Sequence, residues 1–212
     1  MKHETLVTGA FQVNCYILWD EATGDGIVID PGGDADRIVA VIQKNNVNVV
    51  GIYNTHAHFD HIGAVQALKT QLNVPFALHR GDEQLVVGAA TQGKMFGMHI
   101  PVEAPTVENW LEDGMKITFG NETGEVLHTP GHTRGGVCYL FSDKLFVGDT
   151  LFAGSVGRSD LPGGDGRQLI ESIQRRLMTL ADGVKVFPGH GPSTSIGQER
   201  KFNPFINFSG GF

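Results

Sequence analysis

Positive charge, cysteine and long apolar runs are all scarce in this chain. Its 212 residues carry 16 Lys and Arg against 23 Asp and Glu, a formal net charge of −7. That balance weighs against a nucleic-acid enzyme, which ordinarily presents a basic face. The two cysteines, Cys15 and Cys138, each sit in an apolar run. They read as small buried hydrophobes, not as a disulfide framework, and a reducing compartment fits. No run approaches the length of a membrane span, and Met1–Thr5 lacks a secretory apolar core. The expectation is a cytoplasmic protein, a monomer or weak dimer, with neither nucleic acid nor membrane as partner. With 41% hydrophobic residues the chain has ordinary globular composition.

Glycine is plentiful, at 29 residues, and points to many tight turns. Phe11–Trp19 and Gly26–Ile29 are short, apolar and β-branched, and the turn formers of Asp20–Asp25 between them predict a hairpin. Asp30-Pro31-Gly32-Gly33 then breaks the strand. A helix is expected from a cap at Asp34 or Asp36 through about Lys44, burying Ile38, Val39, Val41 and Ile42. Val47–Tyr53 reads as a buried strand, His61 to about Leu72 as a helix, Pro75–Leu78 as a short strand and Asp82–Val87 as helical. Gly88–Pro105 has no clear period and is expected to be a loop or lid. Further strands are expected at Met115–Phe119, Glu125–Thr129, Gly136–Phe141, Leu145–Val147 and Val184–Phe187. Asp165–Leu180 reads as a helix, and Gly197–Phe212 as partly helical with an aromatic tail packing on the core. The pattern is one α/β domain with two β-rich halves and helices covering the sheets.

The segment Thr55-His56-Ala57-His58-Phe59-Asp60-His61 sets four metal donors within six residues. A hydrophobic core does not ask for such a cluster, because a buried carboxylate is costly unless it is paired or bound to a cation. Imidazole and carboxylate suit zinc, iron and manganese. Three more donors, His132, Asp149 and His190, each follow an apolar run and a Pro or Gly break. Strand ends on a rigid scaffold are where distant residues gather into one site. Seven donors exceed the needs of one four-coordinate zinc and fit two adjacent metals if a carboxylate bridges them. By reach, His56, His58 and His132 hold one metal, Asp60, His61 and His190 the other, and Asp149 bridges. Two metals about 3.5–4 Å apart share a water and lower its pKa towards about 7, which makes hydroxide the expected nucleophile. The remaining histidines, His3, His79, His99 and His128, are expected to be surface or hydrogen-bonded residues.

The ordered set His-x-His-x-Asp-His, His132, Asp149 and His190 resembles the metallo-β-lactamase superfamily, as does Asp30-Pro31-Gly32, whose aspartate is mainly structural in that family. Asn14-Cys15-Tyr16, Thr129-Pro130-Gly131-His132-Thr133, Gly148-Asp149-Thr150-Leu151-Phe152 and Gly189-His190-Gly191 are most similar to the hydroxyacylglutathione hydrolases (glyoxalase II) and their short bacterial relatives. The resemblance covers about residues 5–205. It implies an αββα four-layer sandwich with a dinuclear site at one edge. It also implies two divalent metal ions, zinc first and iron or manganese next, and hydrolysis of a small-molecule thioester such as S-lactoylglutathione. Asp149 and Asp60 are the expected catalytic carboxylates, Asp60 taking part in proton handling. The longer glyoxalase II enzymes add a C-terminal helical domain that supplies glutathione-binding residues. This chain ends 22 residues after His190, so residues 1–212 are expected to form one domain without it. Arg158 is a candidate for a substrate carboxylate, the plainer reading being a structural Arg158–Asp160 pair.

Two other activities fit the same motifs. Persulfide dioxygenases share a Gly-Arg-Ser/Thr-Asp segment like Gly157–Asp160 and, by resemblance, use one iron held by the equivalents of His56, His132 and Asp149. A lactonase or β-lactamase would turn the same hydroxide on a cyclic substrate.

Overall fold

Alternate residues of one strand enter different apolar clusters, and this alternation builds the molecule. In β2 (Val13–Trp19), Cys15, Ile17 and Trp19 pack in one cluster while Tyr16 and Leu18 pack in another. In β9 (Val137–Phe141) and β10 (Lys144–Gly148), Tyr139, Phe141 and Phe146 join the cluster of Tyr16 and Leu18, whereas Cys138, Leu145 and Val147 enter a third. Strands apolar on both faces are strands covered on both sides. The shared cluster is the seam between two sheets, and the other two lie beneath the helices.

The computed structural model describes residues 1–95 and 103–207. The first sheet runs in the order β1 (Lys2–Thr8), β2, β3 (Asp25–Ile29), β4 (Asn48–Tyr53), β5 (Phe76–His79), β6 (Asn109–Leu111). The second holds β14 (Thr194–Ser195), β13 (Lys185–Pro188), β10, β9, β8 (Glu122–His128) and β7 (Lys116–Phe119) in that order. A small hairpin joins β11 (Leu151–Phe152) and β12 (Ser155–Val156). Helices α1 (Ala35–Lys44) and α3 (Val65–Leu72) cover the outer face of the first sheet, and α6 (Gly166–Ser172) and α7 (Ile196–Phe202) that of the second. This is the αββα sandwich. Among the described residues no helix is long and apolar enough to cross a membrane.

Strands β3, β4, β5 and β6 are parallel, and so are β10 and β13. Strand β8 runs the same way as β10, since each is antiparallel to β9. Their C-terminal ends therefore lie together along one edge of each sheet. Cross-sheet hydrogen bonds join these edges: Val137 N donates to Thr55 O (2.8 Å) and Asn14 N to Gly189 O (2.7 Å). At the β2–β3 turn, Asp20 accepts from the Asn121 backbone and side chain in the β7–β8 turn, at 2.8 and 2.7 Å.

Several expected elements take different bounds. The helix expected over His61–Leu72 is two, α2 (Phe59–Ile62) and α3, parted at Gly63-Ala64. There Ala64 N donates to Pro31 O (2.9 Å), and a Cβ on Gly63 would collide with Gly32 O, so the metal-donor turn is pinned against the Asp30-Pro31-Gly32 break. Asp34 precedes α1 without capping it through its side chain, which accepts from Gly9 N and Arg37 instead. The Asp165–Leu180 helix is α6, capped by the Asp165 carboxylate on Gln168 N, then a wider π turn over Ile173–Leu177. Leu169, not Ile170, joins Ile173 and Leu177 in the core. Within the presumed loop Gly88–Pro105 there is a helix, α5 (Ala89–Met95), which follows α4 (Glu83–Val87). The rest of the lid expectation falls largely on 96–102, outside the described residues, as do His99, Phe208 and Phe212.

The Asp20 carboxyl is pushed down to about 2 by hydrogen bonds from Ala22 N and Asn121 N, burial opposing them. A folded-state value below the unfolded one near 3.8 contributes stability that is complete above about pH 4 and disappears as pH falls towards 2. Urea melts of wild type and Asp20→Asn at pH 7, 4 and 2.5 check this. The difference between the two should shrink at pH 2.5, and a constant difference would refute the assignment.

Candidate metal centre

Each donor loop leaves the C-terminal end of a strand, and local hydrogen bonds fix its path. Asp30, just past β3, has a left-handed backbone (φ 49°) that turns its carboxylate back over the sheet edge. Asp and Asn tolerate this region better than most side chains. Its Oδ1 accepts from Thr55 N (2.7 Å) and its Oδ2 from Thr55 Oγ1 (2.6 Å), where β4 opens into the donor turn. Asn54 Nδ2 donates to the carbonyls of His61 (2.9 Å) and His56 (3.4 Å), and Tyr139 OH donates to Asn54 O. Past β13, Asn14 Nδ2 donates to Pro188 O and Gly191 O, one on either side of His190.

All seven expected donors converge. Within each of three sets, the ligand atoms lie within 4.8 Å of one another: His56, His58, His132; His56, His61, Asp149; and Asp60, His61, His190. His56 Nε2 is 3.2 Å from His132 Nε2, and His61 Nε2 is 3.4 Å from His190 Nε2. Asp149 reaches both groups: Oδ1 is 3.4 Å from His61 Nε2, and Oδ2 is 3.7 Å from both His132 Nε2 and His190 Nε2. Asp60 Oδ2 is 3.5 Å from His190 Nε2.

The outer nitrogens decide the tautomers. His132 Nδ1 is 2.7 Å from Arg158 O, a pure acceptor, so Nδ1 carries the proton. The Thr55 hydroxyl spends its proton on Asp30, so at 3.1 Å its oxygen accepts from His56 Nδ1. His61 Nδ1 faces Asp30 Oδ2 at 3.1 Å. In His56 and His132, Nε2 is then left with a lone pair pointing inward. Two such lone pairs 3.2 Å apart repel and cannot hydrogen-bond. A cation between them removes the conflict, and a metal with 2.0–2.1 Å bonds sets neighbouring tetrahedral ligands about 3.3 Å apart. Asp149 Oδ1, buried with no hydrogen-bond partner, fits the same explanation. The donor set therefore suits divalent metal.

Charge in the cluster follows burial and proximity. Burial first, then the neighbouring imidazoles, holds His56 well below its ordinary value and pushes His58 down to about 3. Burial alone would raise Asp149 and Asp60. For Asp149 the charge of the His61 imidazole, 3.4 Å away, outweighs burial and holds the carboxyl low. For Asp60 the His190 hydrogen bond and then the His61 charge do so. Burial would lower His61 and His190. Asp149 and Asp30 raise the first, and Asp60 and Asp149 the second.

A cleft of about 190 Å³ opens over the donors, lined also by Phe11, Phe59, Gln92, Arg158 and Leu161. The Arg158 guanidinium makes a two-point pair with Asp160, at 2.8 and 2.9 Å, and stands on the cleft wall while its carbonyl orients His132. A Cβ on Gly157 would collide with Asp149 O and crowd His132 Nδ1, so the loop reaches that carbonyl position only with glycine. His3 packs edge-on to Phe146 and Phe187, and His79 stacks on His128 at 4.1 Å. Neither belongs to the cluster.

Asp82 is the functional side chain that sequence reading passed over. It is fully buried, and its oxygens accept from Ala57 N (3.0 Å), Thr133 Oγ1 (2.8 Å) and Gly135 N (2.7 Å). One carboxylate thus ties the His56-Ala57-His58 turn to the His132 loop. Burial raises its carboxyl above the usual range although all three donors oppose the shift. The signal was available: like the other donors, Asp82 follows the end of a strand.

A four-layer αββα sandwich with imidazoles and carboxylates gathered at its strand ends defines a metallo-hydrolase class of protein. The chain belongs to the metallo-beta-lactamase superfamily, whose family model matches residues 8–190. It is 36% identical to the hydroxyacylglutathione hydrolase GloC of Haemophilus influenzae, over 98% of this chain and 99% of that one. Among solved structures it superposes on the BLEG-1 B3 metallo-beta-lactamase with a TM-score of 0.91 (35% identity, 97% of this chain, 100% of that chain). For TTHA1623 in a di-iron-bound form the TM-score is 0.87 (39% identity, 95% and 99% covered). For ETHE1 from Myxococcus xanthus it is 0.81 (29% identity, 96% and 84% covered).

Replacing Asp82 by Ala removes all three braces without touching a donor. Affinity of the folded protein for zinc, read by chelator competition, should fall about 10- to 100-fold, the usual effect of losing an outer partner. Wild-type affinity would show that Asp82 does not hold the two loops in register.

Proposed function

We propose that this chain is a metal-dependent hydrolase of thioesters, acting on S-lactoylglutathione or a related acyl-glutathione. The observation that carries the metal reading is the pair of inward Nε2 lone pairs of His56 and His132, 3.2 Å apart, with Asp149 oxygens 3.4 Å from His61 Nε2 and 3.7 Å from His132 Nε2. His56, His58 and His132 would hold one cation, Asp60, His61 and His190 the second, with Asp149 between them. The di-iron form of TTHA1623 supports a pair of metals, and zinc is our choice of resident ion. When bound there, two divalent cations supply a shared water with its pKa lowered towards about 7 and a Lewis acid for the thioester carbonyl. The protein's own part is to fix and desolvate the reacting groups. Thr55 and the Arg158 carbonyl hold the His56 and His132 rings in one tautomer, and Phe11 and Phe59, edge to face at 5.0 Å, wall the cleft. Asp60 Oδ2 is the carboxylate we assign to proton handling. The thiolate is a good leaving group and asks little of a general acid. The name of the GloC relative supports the substrate class.

A second reading has its own observation. His56, His132 and Asp149 form a two-histidine, one-carboxylate set, with His132 Nε2 at 3.2 and 3.7 Å from the other two, and such a set suits a single iron. The similarity to ETHE1 favours it, as a glutathione persulfide dioxygenase. Hydrolysis of a lactone or β-lactam is the third possibility, and the BLEG-1 likeness keeps it in the substrate panel.

Purified protein, loaded with zinc or with iron, should consume the thioester of S-lactoylglutathione. Hydrolysis that fails with every metal sinks the thioesterase reading, and oxygen uptake with glutathione persulfide would replace it. Asp60→Ala and His190→Ala should each lower bound metal from two ions to one and weaken the second site at least about tenfold. Two ions and full rate in both variants would refute the ligand assignment.

A further inference from the structure

A second cavity, of about 540 Å³, lies beside the metal cleft, and no step of the proposed chemistry uses it. Arg80, Glu83, Leu85, Arg134, Pro162 and Gly163 line it. The two compartments adjoin: Leu161 lines the metal cleft, and Pro162 lines the cavity. Arg134 is two residues past His132, so their Cα atoms are at most about 7 Å apart. Asp82 is also on the lining, buried, with its oxygens already engaged by Ala57, Thr133 and Gly135. It adds no free acceptor.

Two arginines share the lining with Glu83 and the buried Asp82. Arg134 is exposed, packs along Gly163, and its guanidinium makes no ion pair or hydrogen bond among the described residues. Arg80 is held with its guanidinium carbon 4.5 Å over the Trp110 ring and touches Glu83 only at 3.9 Å, between side chains more than half exposed. Stacking fixes the plane of a guanidinium and leaves its edge donors available. Arginines in this state recognise carboxylates by two parallel hydrogen bonds. Glu83 is the one carboxylate on the lining with an accessible charge, and it faces the same space.

We infer that the cavity between Arg80 and Arg134 binds the amino-acid-like end of the substrate's leaving thiol, its carboxylate on the two guanidiniums and its ammonium on Glu83. This deepens the proposed function and rests on it. Glutathione has such an end, the α-carboxylate and α-ammonium of its γ-glutamyl residue. With the thioester over the metal donors, that end would extend past Pro162 into the cavity.

The test separates binding from chemistry. S-methylglutathione, which cannot be hydrolysed at sulfur, is titrated calorimetrically into zinc-loaded wild type, Arg134→Gln and Arg80→Gln/Arg134→Gln. Wild type should bind, Arg134→Gln at least fivefold more weakly and the double variant more weakly still. Equal affinities, or no measurable binding by wild type, overturn the inference. Melting temperatures within 2–3 °C of wild type show that the variants are folded. In the kinetic arm, kcat/KM for S-lactoylglutathione is divided by that for the lactoyl thioester of an uncharged thiol. Arg134→Gln should lower this ratio at least fivefold, mainly through KM. An unchanged ratio beside active hydrolysis overturns the cavity assignment alone, whereas no hydrolysis of either thioester by wild type overturns the function on which it rests.

Discussion

The structure depends on lone pairs aimed at one another. The Nε2 atoms of His56 and His132, 3.2 Å apart and both unprotonated, form an arrangement that repels without a cation. Backbone geometry has to hold it, because no attraction among the neutral rings would. The scaffold does so through the carboxylates of Asp30 and Asp82 and the Arg158 carbonyl, each of which fixes a ring or a loop from outside. Asp30 and Asp82 are buried carboxylates that accept hydrogen bonds from the loops they brace, and at Asp82 those bonds oppose the cost of burial without cancelling it. Cost is thus concentrated where the site needs rigidity, as expected when a first layer of donors depends on a second.

Why the donors meet at all follows from strand direction. Every donor loop leaves the C-terminal end of a strand, and the strands concerned run the same way within each sheet. Two sheets packed face to face through Tyr16, Leu18, Tyr139 and Phe146 bring those two edges together. The seam is therefore part of the site: Tyr139, deep in the shared core, ends in a hydroxyl that donates to Asn54 O beside the donor turn. A change of register in β9 would move that hydroxyl to the opposite face, since side chains alternate along a strand.

Sequence patterning made the architecture legible where periodicity was strong. The short apolar, β-branched run Phe11–Trp19 marked a strand of a hairpin, which is β2 paired with β3. The donor loops were legible for a different reason: His132, Asp149 and His190 share the grammar of apolar run, break and donor. Local pattern could not reveal what depends on contacts distant in sequence. The break at Gly63-Ala64 is set by the backbone of Pro31 and Gly32, some thirty positions earlier. The wide turn at Ile173 is invisible to a 3.6-residue period because it keeps the same apolar face buried. Asp82 was passed over because it fell at the start of the expected helical stretch Asp82–Val87, and its real partners, Ala57, Thr133 and Gly135, come from two other loops. The short edge strands β6 and β14 have too few residues to show alternation at all.

The donors themselves cannot set the choice of substrate. A B3 metallo-beta-lactamase, a di-iron protein and ETHE1 all superpose on this chain with TM-scores of 0.81 or more. A scaffold shared by proteins so differently named cannot by itself tell one substrate from another. Discrimination must then come from groups that touch the part of the substrate away from the reacting bond, where each mismatched charge or unfilled pocket lowers affinity. Around this centre those groups are few. Phe11 and Phe59 wall the cleft without charge, and Arg158 is engaged by Asp160. Arg134 is the cation next to the donors whose guanidinium has no partner among the described residues. An unpaired guanidinium two residues from a metal donor adds long-range positive potential to an otherwise acidic molecule. It favours an anionic substrate both on approach and once bound.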